Sequence, residues 1–247
     1  MKGETLVMEV IPAVDIMKGK VVRLLRGDSK LMSSYDHLGD PVHLAMRWEA
    51  EGARFIHVID LDAALGIGRN LDVIEAIVNS VKVPIQVGGG IRDLEIARRL
   101  FSMGVERLII GSLAFSDPSA VEALLEEFGA KRVVVALDHR RGIVTIKGWE
   151  ASTGVSVDEA AENFRRLGVR LFLVTSVYRD GTLLGPDLEI LSDLCRRGYE
   201  VIAAGGISSI EDLLSLKRLG VHGAVVGKAL YEGRFSLNEA LRTVMDE

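Results

Sequence analysis

Eight short apolar runs, each followed by a longer amphipathic stretch, constrain this chain more than any other feature. The runs are Val10–Val14, Phe55–Ile59, Ile85–Val87, Arg107–Ile110, Arg132–Leu137, Leu171–Val174, Val201–Ala203 and Gly223–Val226. Several are apolar throughout, as expected of parallel strands covered on both faces. Helical periodicity follows near 41–52, 70–80, 93–103, 117–128, 156–167, 187–197, 209–219 and 236–245. Asp117-Pro118 and Ser208-Ser209 read as helix starts, and Gly104, Gly168 and Gly220 as helix stops. Strict β/α alternation predicts a parallel sheet. Eight units in 247 residues, with no Pro/Ser-rich linker, predict one α/β domain closed into a (β/α)8 TIM barrel over 1–247. An open doubly wound sheet is the alternative.

The chain also repeats itself. Gly89-Gly90-Ile91 and Gly205-Gly206-Ile207 stand 116 positions apart, and the same offset sets Gly104 on Gly220 and Gly111 on Gly227. The period is about half the chain, which predicts two half-barrels, about 1–120 and 121–247, rather than a solenoid of short repeats.

Composition removes several functions. The net charge of −5 argues against a broad nucleic-acid surface while leaving room for a local anion site. The apolar runs fall far short of the roughly 20 residues a membrane helix needs. Met1-Lys2-Gly3-Glu4-Thr5 has no signal-peptide pattern. The single cysteine, Cys195, allows no internal disulfide, and its helical setting reads as packing. A cytoplasmic enzyme is the expectation. His37, His43, His57, His139 and His222 lack metal-ligand spacing, and no Walker loop, dinucleotide fingerprint or nucleophile elbow is present. No metal or cofactor is therefore expected.

Barrels of this kind bind ligands at the C-terminal ends of their strands. The strand ends in order offer Asp15; Asp60 and Asp62; Gly88–Gly90; Gly111-Ser112; Asp138; Thr175-Ser176; Gly205-Gly206; and Gly227-Lys228. Asp15 and Asp138 close the first strand of each half and face each other across the mouth. Such a pair can divide acid and base roles if its environments differ; the plainer alternative is that each caps a turn or pairs with an arginine. Gly89, Gly90, Gly111 and Ser112 form one anion site, and Gly205, Gly206, Gly227 and Lys228 the other. Glycines let backbone N–H groups approach a phosphate, and the strand 7–8 position is a common phosphate site. Ser112 adds a hydroxyl, and Lys228 points to solvent while its N–H binds. Arg23 and Arg92 are candidate anion contacts, with a solvated surface charge as the alternative. Trp149, in Lys147-Gly148-Trp149, stacks on a flat ligand or packs on its own loop. Tyr178-Arg179-Asp180-Gly181-Thr182 reads as a polar loop. Together these residues describe a barrel for a small substrate with two phosphates, suited to proton transfer.

At these residues the chain resembles a known family. Ile11-Pro12-Ala13-Val14-Asp15 with Gly19–Leu24, His57–Ala64, Val87–Arg92, Gly148-Trp149-Glu150, Arg179–Pro186 and Gly227–Phe235 are similar to the histidine-biosynthesis isomerases acting on phosphoribosylformimino-5-aminoimidazole carboxamide ribotide. The resemblance covers nearly the whole chain after about residue 8. It implies an Amadori rearrangement of an N-linked aminoaldose phosphate to an aminoketose phosphate. Asp138 would be the general acid and Asp15 the base at C2, with Thr175 bonding near the sugar and Arg23, Arg92 and Trp149 contacting substrate. The sister family, the cyclase subunit of imidazole glycerol phosphate synthase, shares both aspartates and both phosphate sites. It has a lysine where this chain has Arg23, so no glutaminase partner is expected, and a monomer is. Some relatives also isomerise phosphoribosylanthranilate, using an arginine at the position of Lys147; the lysine here puts that second activity in doubt.

Overall fold

The computed structural model describes residues 8–246; the leader expectation for Met1–Thr5 lies outside them. Eight parallel strands form the barrel: β1 (Glu9–Met17), β2 (Ile56–Asp60), β3 (Ile85–Gly88), β4 (Arg107–Ile110), β5 (Val133–Ala136), β6 (Leu171–Thr175), β7 (Glu200–Ala204) and β8 (Gly223–Val226). Each pairs with the next, and Glu9–Pro12 pair with Gly223–Val226, which closes the ring. The expected (β/α)8 barrel is what the chain forms. The main helices are α1 (Pro41–Ala50), α2 (Leu71–Ser80), α3 (Leu94–Ser102), α4 (Pro118–Phe128), α5 (Val157–Arg166), α6 (Leu188–Arg196), α7 (Ile210–Leu219) and α8 (Leu237–Asp246).

Local chemistry fixes these helices. Asp40, Asp93 and Ser156 accept hydrogen bonds from first-turn amides of α1, α3 and α5. Ser209 and Asp212 form a reciprocal capping box on α7. Their apolar stripes bury residues such as Leu44, Trp48, Leu100, Leu124 and Leu216 against the outer face of the barrel. Inside the barrel, Ile11, Ala13, Ile109, Val134, Leu173, Ile202 and Val225 form a second apolar cluster. One side of this interior is polar. Strand register sets His57, Gln86 and Arg107 side by side on β2, β3 and β4. The Arg107 guanidinium lies 3.7 Å over the Phe55 ring and reaches Glu9 on β1 at 3.0 Å, closing the floor.

Two features depart from the alternation. β1 does not stop at Val14: it runs to Met17 and turns into an antiparallel hairpin, Lys20–Leu25 and Asp28–Ser34, so Asp15 lies within the strand. The long loop after β5 is itself a three-stranded sheet of His139–Arg140, Ile143–Ile146 and Ala151–Ser156. Short-range patterns miss both, because their strands are stabilised by partners at the mouth rather than by a continuous apolar run.

The glycines at the mouth are required by neighbouring backbone. A Cβ on Gly89 would overlap the Asp60 carbonyl; one on Gly205, 116 positions later, would lie 3.0 Å from the Ser176 carbonyl, again 116 positions on. Gly206 has φ +85°, and a Cβ there would overlap the Gly185 carbonyl. Gly206→Ala is therefore expected to cost at least about 1–2 kcal/mol from backbone handedness alone, with the clash adding more. Urea denaturation measures this, and unchanged stability would contradict the stated packing.

Candidate active site

The mouth is organised around one arginine. Arg23 projects from the first hairpin and its guanidinium bonds both Asp15 and Asp180. Asp15 is 3% exposed and Asp180 4%. Burial opposes the charge on Arg23, yet the two carboxylates raise its proton affinity overall. Burial pushes the Asp180 carboxyl up to about 6; Arg23 works against this, while the charges of Asp15 and Asp138 add to it. The Tyr231 hydroxyl donates to the Ala13 carbonyl at 3.0 Å and accepts from the Asp15 N–H at 3.3 Å, fixing β1 where its carboxylate emerges.

Asp138 has different surroundings. It follows β5, on the opposite side of the barrel from β1, and its hydrogen-bond partners are neutral. The Trp149 indole N–H donates to Asp138 Oδ2 at 2.8 Å. Burial raises the Asp138 pKa, while hydrogen bonds from Thr175 and Trp149 pull it partly back. Thr175 ends β6 and is buried. Trp149 takes a left-handed backbone (φ +71°) after Lys147 and Gly148 do the same. Its ring lies against Gly27 of the first hairpin, where any Cβ would overlap it. The indole thus joins two loops and holds the Asp138 carboxyl.

The glycine groups occupy separate places. Arg23, Gly181, Leu183, Gly205, Gly206, Ile207, Val225, Gly227 and Lys228 line one pocket. Gly227 caps the short helix Lys228–Tyr231, as Gly111 caps Ser112–Ser116. The Lys228 side chain does not project to solvent as expected: its Nζ donates to the Gly181 carbonyl at 2.9 Å, because the β6 loop folds over the β8 end. Gly89 and Gly90 pack on the β2 end and the short helix Leu61–Leu65. Arg92 is exposed and donates to the Ala63 carbonyl at 3.2 Å. Ser112 Oγ accepts from the Lys147 N–H at 2.8 Å, which leaves its own hydrogen free. Asp60 and Asp62, read as strand-end residues, are tied to Asn70 and serve the loop. Among the described residues no group of three His, Cys, Asp or Glu side chains is placed to hold a metal ion.

The structure therefore brings Asp15, Arg23, Asp138, Thr175 and Trp149 to one mouth and adds two residues the sequence did not single out. Asp180 sits in a loop with no periodicity, and only its partner Arg23 reveals it. Tyr231 lies on a short helix after Gly227, with a core-like signal.

A family model described as a histidine biosynthesis protein matches residues 9–236. The chain belongs to this family. Curated members of the histidine biosynthesis family cover nearly all of it. A Thermus thermophilus relative is 45% identical over 234 residues, 94% of this chain and 98% of its own. One from Cenarchaeum symbiosum is 40% identical over 95% of this chain and 99% of its own, and one from Nitrosopumilus maritimus 40% over 96% and 100%. All three are named 1-(5-phosphoribosyl)-5-((5-phosphoribosylamino)methylideneamino)imidazole-4-carboxamide isomerase.

Proposed function

We propose that this chain is that isomerase and converts the N-linked aminoaldose to the aminoketose by acid/base catalysis in the mouth just described. The observation that carries the assignment of roles is the contrast between two carboxyl groups. Asp15 accepts from the Arg23 guanidinium, a geometry that presents it as the base. Among the described residues Asp138 has neutral donors and no cation bonded to it, and its burial outweighs those hydrogen bonds, which favours the protonated acid. Asp138 gives its proton to the ribose ring oxygen, and the ring C–O bond breaks to leave a Schiff base. Asp15 removes the C2 proton, the electron pair forms the enolamine, and tautomerisation yields the ketose. Thr175 bonds the carboxyl and the sugar. Gly205, Gly206, Gly227 and the Lys228 N–H take one phosphate; Gly89, Gly90, Arg92, Gly111 and Ser112 take the other.

Arg23 also favours the isomerase over the cyclase. Its fork contacts two carboxylates through two nitrogens, a geometry lysine does not reproduce. The deciding assay offers the purified protein the aminoaldose, phosphoribosylanthranilate, and the aminoketose with ammonium. Aminoketose formation from the first is the expected result; imidazole glycerol phosphate from the third would overturn it. With Lys147 beside the loop tryptophan, kcat/KM for phosphoribosylanthranilate is expected to be far lower. We further take the barrel as one domain of two half-barrels, acting as a cytoplasmic monomer without a glutaminase. The glycine contacts that recur 116 positions apart support the repeat. Among the described residues no helix is long and apolar enough to cross a membrane.

The indole bond to Asp138 gives a pH prediction. A donated hydrogen bond stabilises the charged carboxylate, so removing it raises the pKa. If Asp138 is the acid, activity falls as pH rises through its pKa. Trp149→Phe is therefore expected to shift the alkaline limb of the kcat/KM profile upward. A downward shift would contradict the role of Asp138.

A further inference from the structure

His57 is a buried polar side chain near the catalytic strand end of β1 that the mechanism above leaves unused. It pairs with Ala13, two residues before Asp15, and so lies one layer beneath the carboxylates. It is 4% exposed. Beneath it the floor is closed by Phe55, Arg107 and Glu9. Its Nδ1 is 2.8 Å from Gln86 Nε2, and Gln86 is fully buried. On its other side Gln86 neighbours Arg107, whose guanidinium is donor only. An amide between an imidazole and a guanidinium turns its oxygen to the guanidinium and its N–H to the ring. Gln86 Oε1 and Arg107 Nε are both buried without a hydrogen-bond partner, so the bond to His57 Nδ1 is the one side-chain hydrogen bond that Gln86 makes among the described residues. A ring that accepts at Nδ1 carries its proton on Nε2, and Nε2 has no hydrogen-bond partner among the described residues.

We propose that His57 is a further substrate-binding residue, held by Gln86 as the Nε2–H tautomer so that it donates a hydrogen bond upward to an oxygen of the sugar lying between Asp15 and Asp138. Gln86 is its positioning residue. This rests on the isomerase assignment for the identity of the sugar, but the tautomer does not. The ring also stays neutral: burial, then the charges of Arg23 above and Arg107 below, hold the His57 pKa at about 3. A neutral donor beneath two carboxylates can bind a sugar oxygen without adding a proton source that competes with Asp138.

The test combines spectroscopy with kinetics. In 15N-labelled wild-type protein, His57 is assigned by its loss in His57→Gln. Its ring is expected to show the neutral Nε2–H pattern from pH 5 to 8, with Nε2 and not Nδ1 shifting when ribose 5-phosphate is added. An Nδ1–H or cationic ring, or an Nε2 signal indifferent to saturating ribose 5-phosphate, would overturn the proposal. Gln86→Glu reverses the Nδ1 bond, so it is expected to move the proton to Nδ1 and make the ring titrate; a merely structural glutamine would leave the tautomer unchanged. His57→Leu is expected to lower kcat/KM by about 10- to 100-fold, mainly through KM. His57→Gln, which keeps an N–H near the Nε2 position, is expected to recover most of it. Wild-type kcat/KM in a folded His57→Leu would also sink the idea. Failure of the wild type to turn over the aminoaldose would instead count against the isomerase assignment, and the ribose 5-phosphate titration would still decide the role of His57.

Discussion

Asp15→Asn is expected to lower kcat by about 10³-fold or more, within the range a positioned acid or base contributes. Binding of the aminoketose product should remain measurable. The amide cannot accept the C2 proton, yet it matches the carboxylate in shape and can still accept one bond from Arg23. The backbone is held independently by the Tyr231 hydroxyl, so the fold should persist. Asp138→Asn should fall to a similar level for the opposite reason, since it cannot give a proton to the ring oxygen. Single-turnover measurements with product-binding titrations separate these outcomes. A variant at either position with near-normal turnover would refute its assigned role.

Arg23→Met should be the most destabilising single change at the mouth. It leaves Asp15 and Asp180 buried and facing each other without their shared cation. Breaking a buried ion pair from one side costs about 3–5 kcal/mol, because the remaining charge is neither solvated nor paired. The sign with pH follows. Arg23 holds the Asp180 pKa down, so without it the folded-state pKa of Asp180 rises further above its unfolded value. The folded form then gains from protonation, so the deficit is largest at neutral pH and shrinks as pH falls toward 4. Asp180 in the wild type, already raised to about 6, leans the same way. Denaturation at pH 7.5 and pH 5 tests this: a deficit that grows on acidification would be inconsistent with two stranded carboxylates.

Much of this was legible in the residues because barrel chemistry sits where periodicity ends. Asp138, Thr175 and the glycine pairs each stand at the end of an apolar run, so the ends of those runs located them. Asp15 was found by the same rule although its strand continues past it. Asp180 was not, since a carboxylate in a loop says nothing of which cation it meets, and Arg23 reaches it across 157 positions. The Arg107–Glu9 floor spans 98 positions and crosses the barrel, again beyond local pattern. Lys228 was placed outward because a lysine after a strand usually is; the β6 loop supplied a carbonyl that the sequence does not announce. The three-stranded sheet after β5 has no continuous apolar run, so local pattern gives only a long loop there and does not reveal the indole's bond to Asp138.

That indole has a consequence for the order of events in a catalytic cycle. Trp149 touches Gly27 on one loop and Asp138 on the other, so a displacement of the first hairpin that carried the indole with it would also weaken the Asp138 hydrogen bond. By linkage, two events that share one equilibrium shift each other. A mouth that opened in this way would raise the proton affinity of Asp138, and one that closed would lower it. In the role proposed for it above, Asp138 would then recharge while the mouth is empty and discharge while it is closed.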